Sequence, residues 1–245
     1  MLGIFDSGSG GLTALREVVN AFPGADLMYL GDHARAPYGD RDPKEIKTFT
    51  KEAVAWLFAQ GCDEILFACN TASSIVLPEL NDDRVFGIVE PTLAWLDGQR
   101  DRHIGLLATQ ATVDSGAYAS SVAVEQACPA WSILIENGDA RTDEAREVVA
   151  RDVERLFATD ANIDAIVLAC THYPIFHEYV VDALPRPMPV MYQGQMLVDW
   201  MKMFSRNRVA GKKRRVFFTT GNPDKIVLTA AQAFGTEVRF EKITL

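Results

Sequence analysis

Short apolar runs alternate with amphipathic stretches along almost the whole chain. The apolar runs predict strands at residues 2–5, 27–30, 65–68, 85–89, 104–108, 132–135, 165–169, 190–192, 216–219 and 237–240. Between them, apolar side chains recur at helical spacing, as at Ile46, Phe49, Ala53 and Leu57. A second helical stretch covers residues 145–157, and we expect Asp143 to cap it. This alternation is typical of α/β proteins built on mostly parallel sheets.

Two segments of the chain recur at nearly the same spacing. Residues 65–71 (Ile-Leu-Phe-Ala-Cys-Asn-Thr) resemble residues 166–172 (Ile-Val-Leu-Ala-Cys-Thr-His), 101 positions later. The strand and turn at residues 3–7 have a counterpart at residues 105–109, 102 positions later. The agreement of the two spacings predicts two similar α/β domains related by a pseudo-twofold axis, with the active site in the cleft between them.

A cysteine follows the apolar strand in each copy of the first repeat. Cys69 and Cys170 are expected at the carboxyl ends of buried strands, where α/β sheets bind ligands. The free N–H groups of a following helix would favour the thiolate and lower the pKa of the sulfur. A buried cysteine can also be inert core, and we interpret Cys62 and Cys128, which lack this context, as structural. Two thiols on opposite sides of an α-carbon could move its proton from one face to the other.

Polar loops follow the first two predicted strands. Asp6-Ser7-Gly8-Ser9-Gly10-Gly11 offers backbone N–H groups and a hydroxyl to an anion. Within it, Asp6 is either a helix cap or a partner of the substrate and Cys69. In the loop at residues 31–39, Tyr38 and Gly39 could supply a hydroxyl and an amide to a carboxylate, or belong to a surface turn pinned by Pro37.

Three further ionisable residues each allow two interpretations. His172 lies two positions after Cys170, where it could shuttle the thiol proton or simply begin a helix. Glu136 ends a predicted strand, as a supporting acid or as an ordinary loop carboxylate. His33 has the context of a surface histidine rather than a catalytic one.

Composition narrows the class of protein. The net charge of −9 disfavours binding to nucleic acid or to an anionic membrane, and no apolar run is long enough to span a bilayer. The first residues lack a secretory signal pattern, so we expect a cytoplasmic protein. The four cysteines lack C-x-x-C and metal-ligand spacing, which favours free thiols without a metal. We expect no cofactor, since no lysine has a pyridoxal-phosphate context.

Together these motifs closely resemble those of the glutamate racemase family. The likeness covers essentially the whole chain in the family's order. The matching segments lie at residues 3–8 with 10–12, 31–32 with 34–39, 68–72, 111–112 with 115–118, 127–129, 170–174 and 217–221.

The resemblance implies a fold, an activity and a set of site residues. It implies two α/β domains, 1–92 plus 206–245 and 93–205, and interconversion of L- and D-glutamate for peptidoglycan synthesis. It implies that Cys69 and Cys170 exchange the proton, tuned by Asp6 and His172, with Glu136 beside His172. The implied substrate contacts are Asp6, Ser7, Tyr38, Gly39, Asn70, Thr71, Thr112, Thr171 and His172.

Two departures from the family pattern leave questions open. His33 replaces a smaller polar residue, and Tyr192-Gln193-Gly194 replaces a turn that often contains aspartate. The second departure bears on interdomain or oligomer geometry, and the resemblance leaves open whether the chain forms a homodimer. Aspartate or another small acidic amino acid is the alternative substrate, because pocket volume decides that choice. A non-catalytic regulatory binding protein of the same fold is the alternative class.

Overall fold

The computed structural model describes residues 1–204 and 211–245. Its strands are β1 (Leu2–Asp6), β2 (Leu27–Gly31), β3 (Glu64–Phe67), β4 (Val85–Gly87), β5 (Ile104–Ala108), β6 (Val124–Ala127), β7 (Ala165–Ala169), β8 (Val190–Tyr192), β9 (Arg215–Thr219) and β10 (Glu241–Lys242). Its α-helices are α1 (Gly11–Ala21), α2 (Pro43–Ala59), α3 (Asn70–Val76), α4 (Val89–Asp97), α5 (Gln110–Asp114), α6 (Pro129–Glu136), α7 (Asp143–Thr159), α8 (His177–Asp182), α9 (Gln193–Phe204) and α10 (Pro223–Phe234). Short 3₁₀ turns occupy Leu77–Glu79 and Tyr173–Phe176.

The strands form two parallel sheets with the same internal order. The first sheet has the order β10-β9-β2-β1-β3-β4, and the second has the order β6-β5-β7-β8. In the first sheet, β1 lies between β2 and β3, and β4 lies at the edge. In the second sheet, β5 likewise lies between β6 and β7, and β8 lies at the edge. This common order confirms two α/β halves of similar topology, and the carboxyl-terminal β9 completes the first sheet by pairing with β2.

The central strands are apolar because helices cover both of their faces. All five residues of β1, β5 and β7 are buried, as expected for parallel strands enclosed on two sides. Two apolar clusters flank the first sheet and two flank the second. Rigid packing of this kind fixes the carboxyl end of each strand and therefore the residues that follow it.

The predicted strands agree with the structure except at four places. Residues 132–135 lie in α6 rather than in a strand, since Pro129 opens a helix whose inner face buries Trp131 and Ile135. Strand β6 is not predicted by the sequence pattern, because it is a half-buried edge strand that contains Glu and Gln residues. Residues 237–240 are irregular, with β10 beginning only at Glu241, and Val89 begins a helix rather than ending a strand.

Two details of the helices differ from expectation. Thr142, not Asp143, caps α7 by accepting the Ala145 N–H at 3.2 Å. Helix α9, which the predicted division at 92/93 and 205/206 assigns to the second domain, packs its Leu197 and Met201 into the core of the first. The boundary at 205/206 itself lies outside the described residues, so the division stays a prediction. Within the described part of the chain, no helix is long and apolar enough to cross a membrane.

Candidate active site

The carboxyl ends of the two sheets meet around a small enclosed cavity. Its volume of about 10 Å³ is room for about one water molecule. Cys69 reaches it from the end of β3 and Cys170 from the end of β7, so the two halves contribute one sulfur each to one cavity. The wall includes the predicted residues Ser7, Tyr38, Gly39, Cys69, Asn70, Thr71, Cys170, Thr171 and His172, together with Pro37, Thr109 and Ser132.

Three predicted site residues lie behind the wall rather than in it. Asp6 and Glu136 hydrogen-bond to wall residues, as described below, and Thr112 donates or accepts within a hydroxyl chain with Thr71 and Thr109. Thr109 Oγ1 lies 2.9 Å from Thr71 Oγ1 and thereby joins the two halves. The repeat contains a signal for Thr109, which is the counterpart of Ser7, whereas the sequence holds no comparable signal for Ser132.

Cys69 caps helix α3 but does not gain a low pKa from that position. Its sulfur accepts the Ala72 N–H at 3.5 Å and lies 3.5 Å from Ser7 Oγ. Burial, followed by the nearby Asp6 carboxylate, raises the pKa of the Cys69 thiol to about 12, against the lowering effect of those hydrogen bonds. The expectation of a favoured thiolate is therefore wrong for Cys69, which holds its proton in this closed cavity.

Cys170 heads a chain of proton-exchanging groups. Its sulfur lies 3.8 Å from His172 Nδ1, and His172 Nε2 lies 2.6 Å from Glu136 Oε1. Burial alone would lower the pKa of His172, yet the hydrogen bonds to Cys170 and Glu136 and the charge of Glu136 raise it well above its ordinary value. His172 can therefore take up the Cys170 proton and remain charged beside Glu136.

Glu136 supports this chain from a helix end rather than from the predicted strand end. It is the last residue of α6, and its Oε1 also accepts the Ser9 N–H from the first half at 2.6 Å. Burial alone would raise its pKa, but the hydrogen bond and charge of His172 lower the pKa of Glu136 to about 2. The two residues together form a buried ion pair, consistent with the supporting role expected of Glu136.

Asp6 reaches from the first half to the second. Its carboxylate accepts the Gly8 N–H at 2.9 Å and the Thr171 hydroxyl at 3.0 Å, so it does not cap α1. Burial raises the pKa of Asp6 to about 6, although His172, Gly8 and Thr171 lower it in part. An acid of that pKa can both accept and release a proton near neutral pH.

The glycine-rich loop holds protein carboxylates rather than facing an open anion site. Its Gly8 and Ser9 amides bind Asp6 and Glu136. A Cβ at Gly10 would lie 2.5 Å from His172 Nδ1, and a Cβ at Gly8 would collide with Glu136. The glycines therefore let the first half approach the His172–Glu136 pair of the second half closely.

The loop after β2 places Tyr38 in the wall but engages its hydroxyl elsewhere. That hydroxyl donates to the buried Asp32, which also accepts Arg35 Nε at 2.6 Å. Burial and the Asp32 carboxylate raise the pKa of Tyr38. The Tyr38 hydroxyl, which was expected to donate to a substrate carboxylate, instead donates to Asp32. The Tyr38 ring and Gly39 line the cavity.

Asn70 lies next to Cys69, yet its side chain is hydrogen-bonded to Gln193, which belongs to the turn that departs from the family pattern. The two amides exchange hydrogen bonds of 2.6 and 3.0 Å, and the Tyr118 hydroxyl also donates to Asn70 Oδ1 at 2.8 Å. Gln193 Nε2 lies 2.8 Å from Thr92 Oγ1. The Asn70 carbonyl oxygen is therefore occupied by two protein donors, and one of its two Nδ2 N–H bonds is held by Gln193, which ties α3, α4 and α9 together.

This cluster predicts a large stability effect for Gln193→Ala. The change would leave the buried Asn70 amide without its pair, so we expect the free energy of unfolding to fall by about 3 kcal/mol. Urea denaturation checks this value. Gln195→Ala is the control on the same helix, because Gln195 is exposed and its side-chain amide donates to the exposed Asp199; we expect it to cost under about 0.5 kcal/mol. Equal losses in both variants would contradict the role given to Gln193.

His33 is not the surface histidine that its context suggests. Its ring contacts Ser9, Gly31 and Thr219 and packs edge-on against Phe240 at 5.7 Å. It thereby adjoins the loop that holds Glu136. No local pattern around residue 33 indicates this placement, because β9 comes from the far end of the chain.

The raised pKa of Asp6 predicts how the activity falls at acidic pH, which is the acid limb of the pH–activity profile. The Asp6 carboxylate loses its charge as pH falls through about 6, and with it the capacity to accept a proton. We therefore expect kcat/KM of the chemistry proposed below to fall below pH 6, since this parameter reports groups of the free enzyme. In Asp6→Asn the activity should be low and this limb absent. Asp182→Asn, on an exposed side chain, should keep the limb; an unchanged limb in Asp6→Asn would contradict the assignment.

Comparison with known proteins matches the chain to racemases. The sequence model of the Asp/Glu/hydantoin racemase family matches residues 7–199. Glutamate racemase of Desulforudis audaxviator is 38% identical over 259 residues, covering 96% of this chain and 94% of the relative. Such relatives, like the structures below, are enzymes rather than non-catalytic binding proteins.

The fold agrees with solved structures over the whole chain. Glutamate racemase of Francisella tularensis in complex with D-glutamate superposes with a TM-score of 0.88 at 27% identity, covering 99% of this chain and 97% of that one. Glutamate racemase of Thermus thermophilus in complex with β-chloro-D-alanine gives 0.86 at 32% identity, covering 100% and 96%. The chain therefore belongs to the Asp/Glu/hydantoin racemase family, within its glutamate racemase group.

Proposed function

We propose that the protein interconverts L- and D-glutamate, with Cys69 and Cys170 as the two proton-exchanging groups. The observation that carries this proposal is that the two sulfurs come from equivalent strand ends of separate halves and line one cavity. The relatives named above support glutamate as the substrate. D-Glutamate is a building block of peptidoglycan, and supplying it is the biological role we propose.

The surroundings of the two sulfurs differ in the way a two-base reaction requires. Such a reaction needs one group ready to give a proton and one ready to accept one. Cys69, with its raised pKa, holds a proton. Cys170 lies beside His172, which can accept the thiol proton and stay charged against Glu136. We therefore propose that, in one direction of the reaction, Cys170 abstracts the α-hydrogen and Cys69 donates a proton.

One turnover then exchanges the states of the two sulfurs. The Cys170 thiolate takes the α-hydrogen, the electron pair stays on the α-carbon, and Cys69 returns a proton to the opposite face. The enzyme is left with Cys69 as thiolate and Cys170 as thiol, which is the form that runs the reverse reaction. Asp6, whose charge acts on Cys69, is the group that we propose accepts the Cys69 proton when Cys69 serves as the base and returns it when Cys69 serves as the donor.

Hydroxyl groups surround the place where the charge develops. Ser7, Thr71 and Thr171 line the cavity, and hydrogen-bond donors that are already in place stabilise a forming carbanion and its carboxylate. Thr112 would act through the hydroxyl chain rather than by contact. We propose that Gly39 and the backbone around Asn70 complete the carboxylate contacts.

Substrate entry requires the halves to separate, because the closed cavity has room for about one water molecule. The contacts that must part join Thr13 to Thr171 at 2.8 Å, Gly39 to Ala111 at 3.1 Å, and Ser9 to Glu136. Each of these pairs links the first half to the second. Closing them again expels water from the site and strengthens every electrostatic interaction in it.

Incubation with each glutamate enantiomer in heavy water tests the proposed activity. We expect circular dichroism to show that each enantiomer is inverted, and we expect the product to carry one solvent deuteron at its α-carbon. Aspartate in the same assay tests the alternative substrate. Exchange and inversion of aspartate without that of glutamate would overturn the substrate assignment.

A further inference from the structure

His33 shares the Ser9 hydroxyl with Glu136. Ser9 Oγ lies 3.0 Å from His33 Nε2 and 3.5 Å from Glu136 Oε2. Ser9 itself is fully buried, so water does not compete for its hydroxyl. A hydroxyl has a single proton, which can be donated to only one of these two acceptors at a time.

The other ring nitrogen decides which acceptor receives that proton. His33 Nδ1 lies 3.1 Å from the Gly31 carbonyl oxygen, which can only accept, so Nδ1 carries the ring proton. Thr219 Oγ1, 2.9 Å from the same nitrogen, serves as a second acceptor. Nε2 of the neutral ring is therefore bare and accepts the Ser9 hydroxyl proton. Glu136 Oε2 is left without it.

We infer that His33 is a positioning residue that directs the Ser9 hydroxyl away from Glu136 and so keeps the Glu136 carboxylate as a strong partner for His172. A carboxylate that accepts an additional hydrogen bond has its negative charge partly stabilised by that bond. It therefore stabilises a neighbouring cation less. Through His172 the effect reaches the Cys170 side of the cavity. The inference rests on the proposed function.

The neutral state of His33 at neutral pH agrees with its surroundings. The charged groups that act on it are Glu136 and Asp32, which favour the charged ring, and His172, which disfavours it. Burial lowers the pKa of His33 more strongly than these carboxylates raise it. Charging of the ring by acid would reverse the hydrogen bond and turn the Ser9 proton toward Glu136.

Proton abstraction from each face can be followed separately with 3-chloroglutamate. One base removes the α-hydrogen, the Cβ–Cl bond breaks and chloride leaves, so a single sulfur completes the reaction. The enantiomer whose elimination is lost in Cys170→Ser is the one that Cys170 serves. Chloride release from that enantiomer then measures proton abstraction by Cys170, and chloride release from the other enantiomer measures abstraction by Cys69.

His33→Leu frees the Ser9 proton for Glu136 and provides the test. We expect the protonation midpoint of His172, measured by NMR, to fall by about one pH unit, and elimination by Cys170 to slow up to about tenfold. Elimination by Cys69 should change less than about twofold. In the Ser9→Ala background the same His33→Leu change should leave the His172 midpoint unmoved, because the hydroxyl is absent. His103→Leu, on an exposed histidine, is the control.

The outcomes separate this inference from the proposed function. An unmoved His172 midpoint in a folded His33→Leu protein, or an equal shift with and without the Ser9 hydroxyl, would overturn it. So would ring nitrogen signals placing the His33 proton on Nε2. Because the midpoint is measured in the resting protein, it can be read even if wild-type enzyme fails to racemise glutamate. That failure would overturn the proposed function instead.

Discussion

Replacement of either Cys69 or Cys170 by serine is expected to lower racemisation of glutamate by at least about 10³-fold. A serine hydroxyl fits the space of the thiol but gives up its proton far less readily. The equilibrium constant of a racemase is one, so kcat/KM must stay equal in the two directions even when one sulfur is lost. Glutamate turnover therefore cannot tell which side failed.

Chloride elimination from the enantiomers of 3-chloroglutamate resolves the two sides. Each serine variant should keep elimination from one enantiomer and lose it from the other, and the two variants should lose opposite ones. Cys62→Ser and Cys128→Ser are matched controls, since both residues are buried free cysteines outside the cavity wall. We expect them to racemise glutamate within about twofold of wild type. Full activity in Cys69→Ser or Cys170→Ser would refute the two-thiol reaction.

Replacement of His172 by asparagine should have the second largest effect. Asparagine cannot take up the Cys170 proton, and it leaves Glu136 as a buried carboxylate without its cation. We expect kcat to fall by about 10²- to 10³-fold. Elimination from the enantiomer that Cys170 serves should fall by a similar factor, while elimination by Cys69 should fall much less.

His177→Asn is the control for this prediction. His177 lies five residues further along, half-buried against Tyr192, and away from the cavity wall. Its replacement should leave both eliminations within about twofold of wild type. Equal losses on the two sides in a folded His172→Asn protein would show that His172 does not act through Cys170.

The sequence could predict the parts of the fold and site that repeat or have strong local patterns. Buried parallel strands such as β1, β5 and β7 are continuous apolar runs, and the spacing between Cys69 and Cys170 revealed that their strands are equivalent. The polar edge strand β6 lacked such a pattern, and the apolar residues 132–135 fitted a strand as well as a helix. Local pattern alone cannot separate the two for so short a run.

The sequence could not predict features that depend on distant parts of the chain. The pKa of Cys69 is decided by burial and by Asp6, which outweigh the helix start that the local sequence shows. Asn70 appeared free for substrate, yet Gln193, more than a hundred residues later, binds its amide. His33 meets Thr219 only because β9 returns to the first sheet.

A crystal structure of the enzyme with glutamate bound tests the central claim most directly. The proposal predicts the substrate between the two halves, with Cys69 Sγ and Cys170 Sγ each within about 4 Å of its α-carbon and on opposite faces. Both sulfurs on one face of that carbon, or glutamate bound in a different cavity, would contradict it.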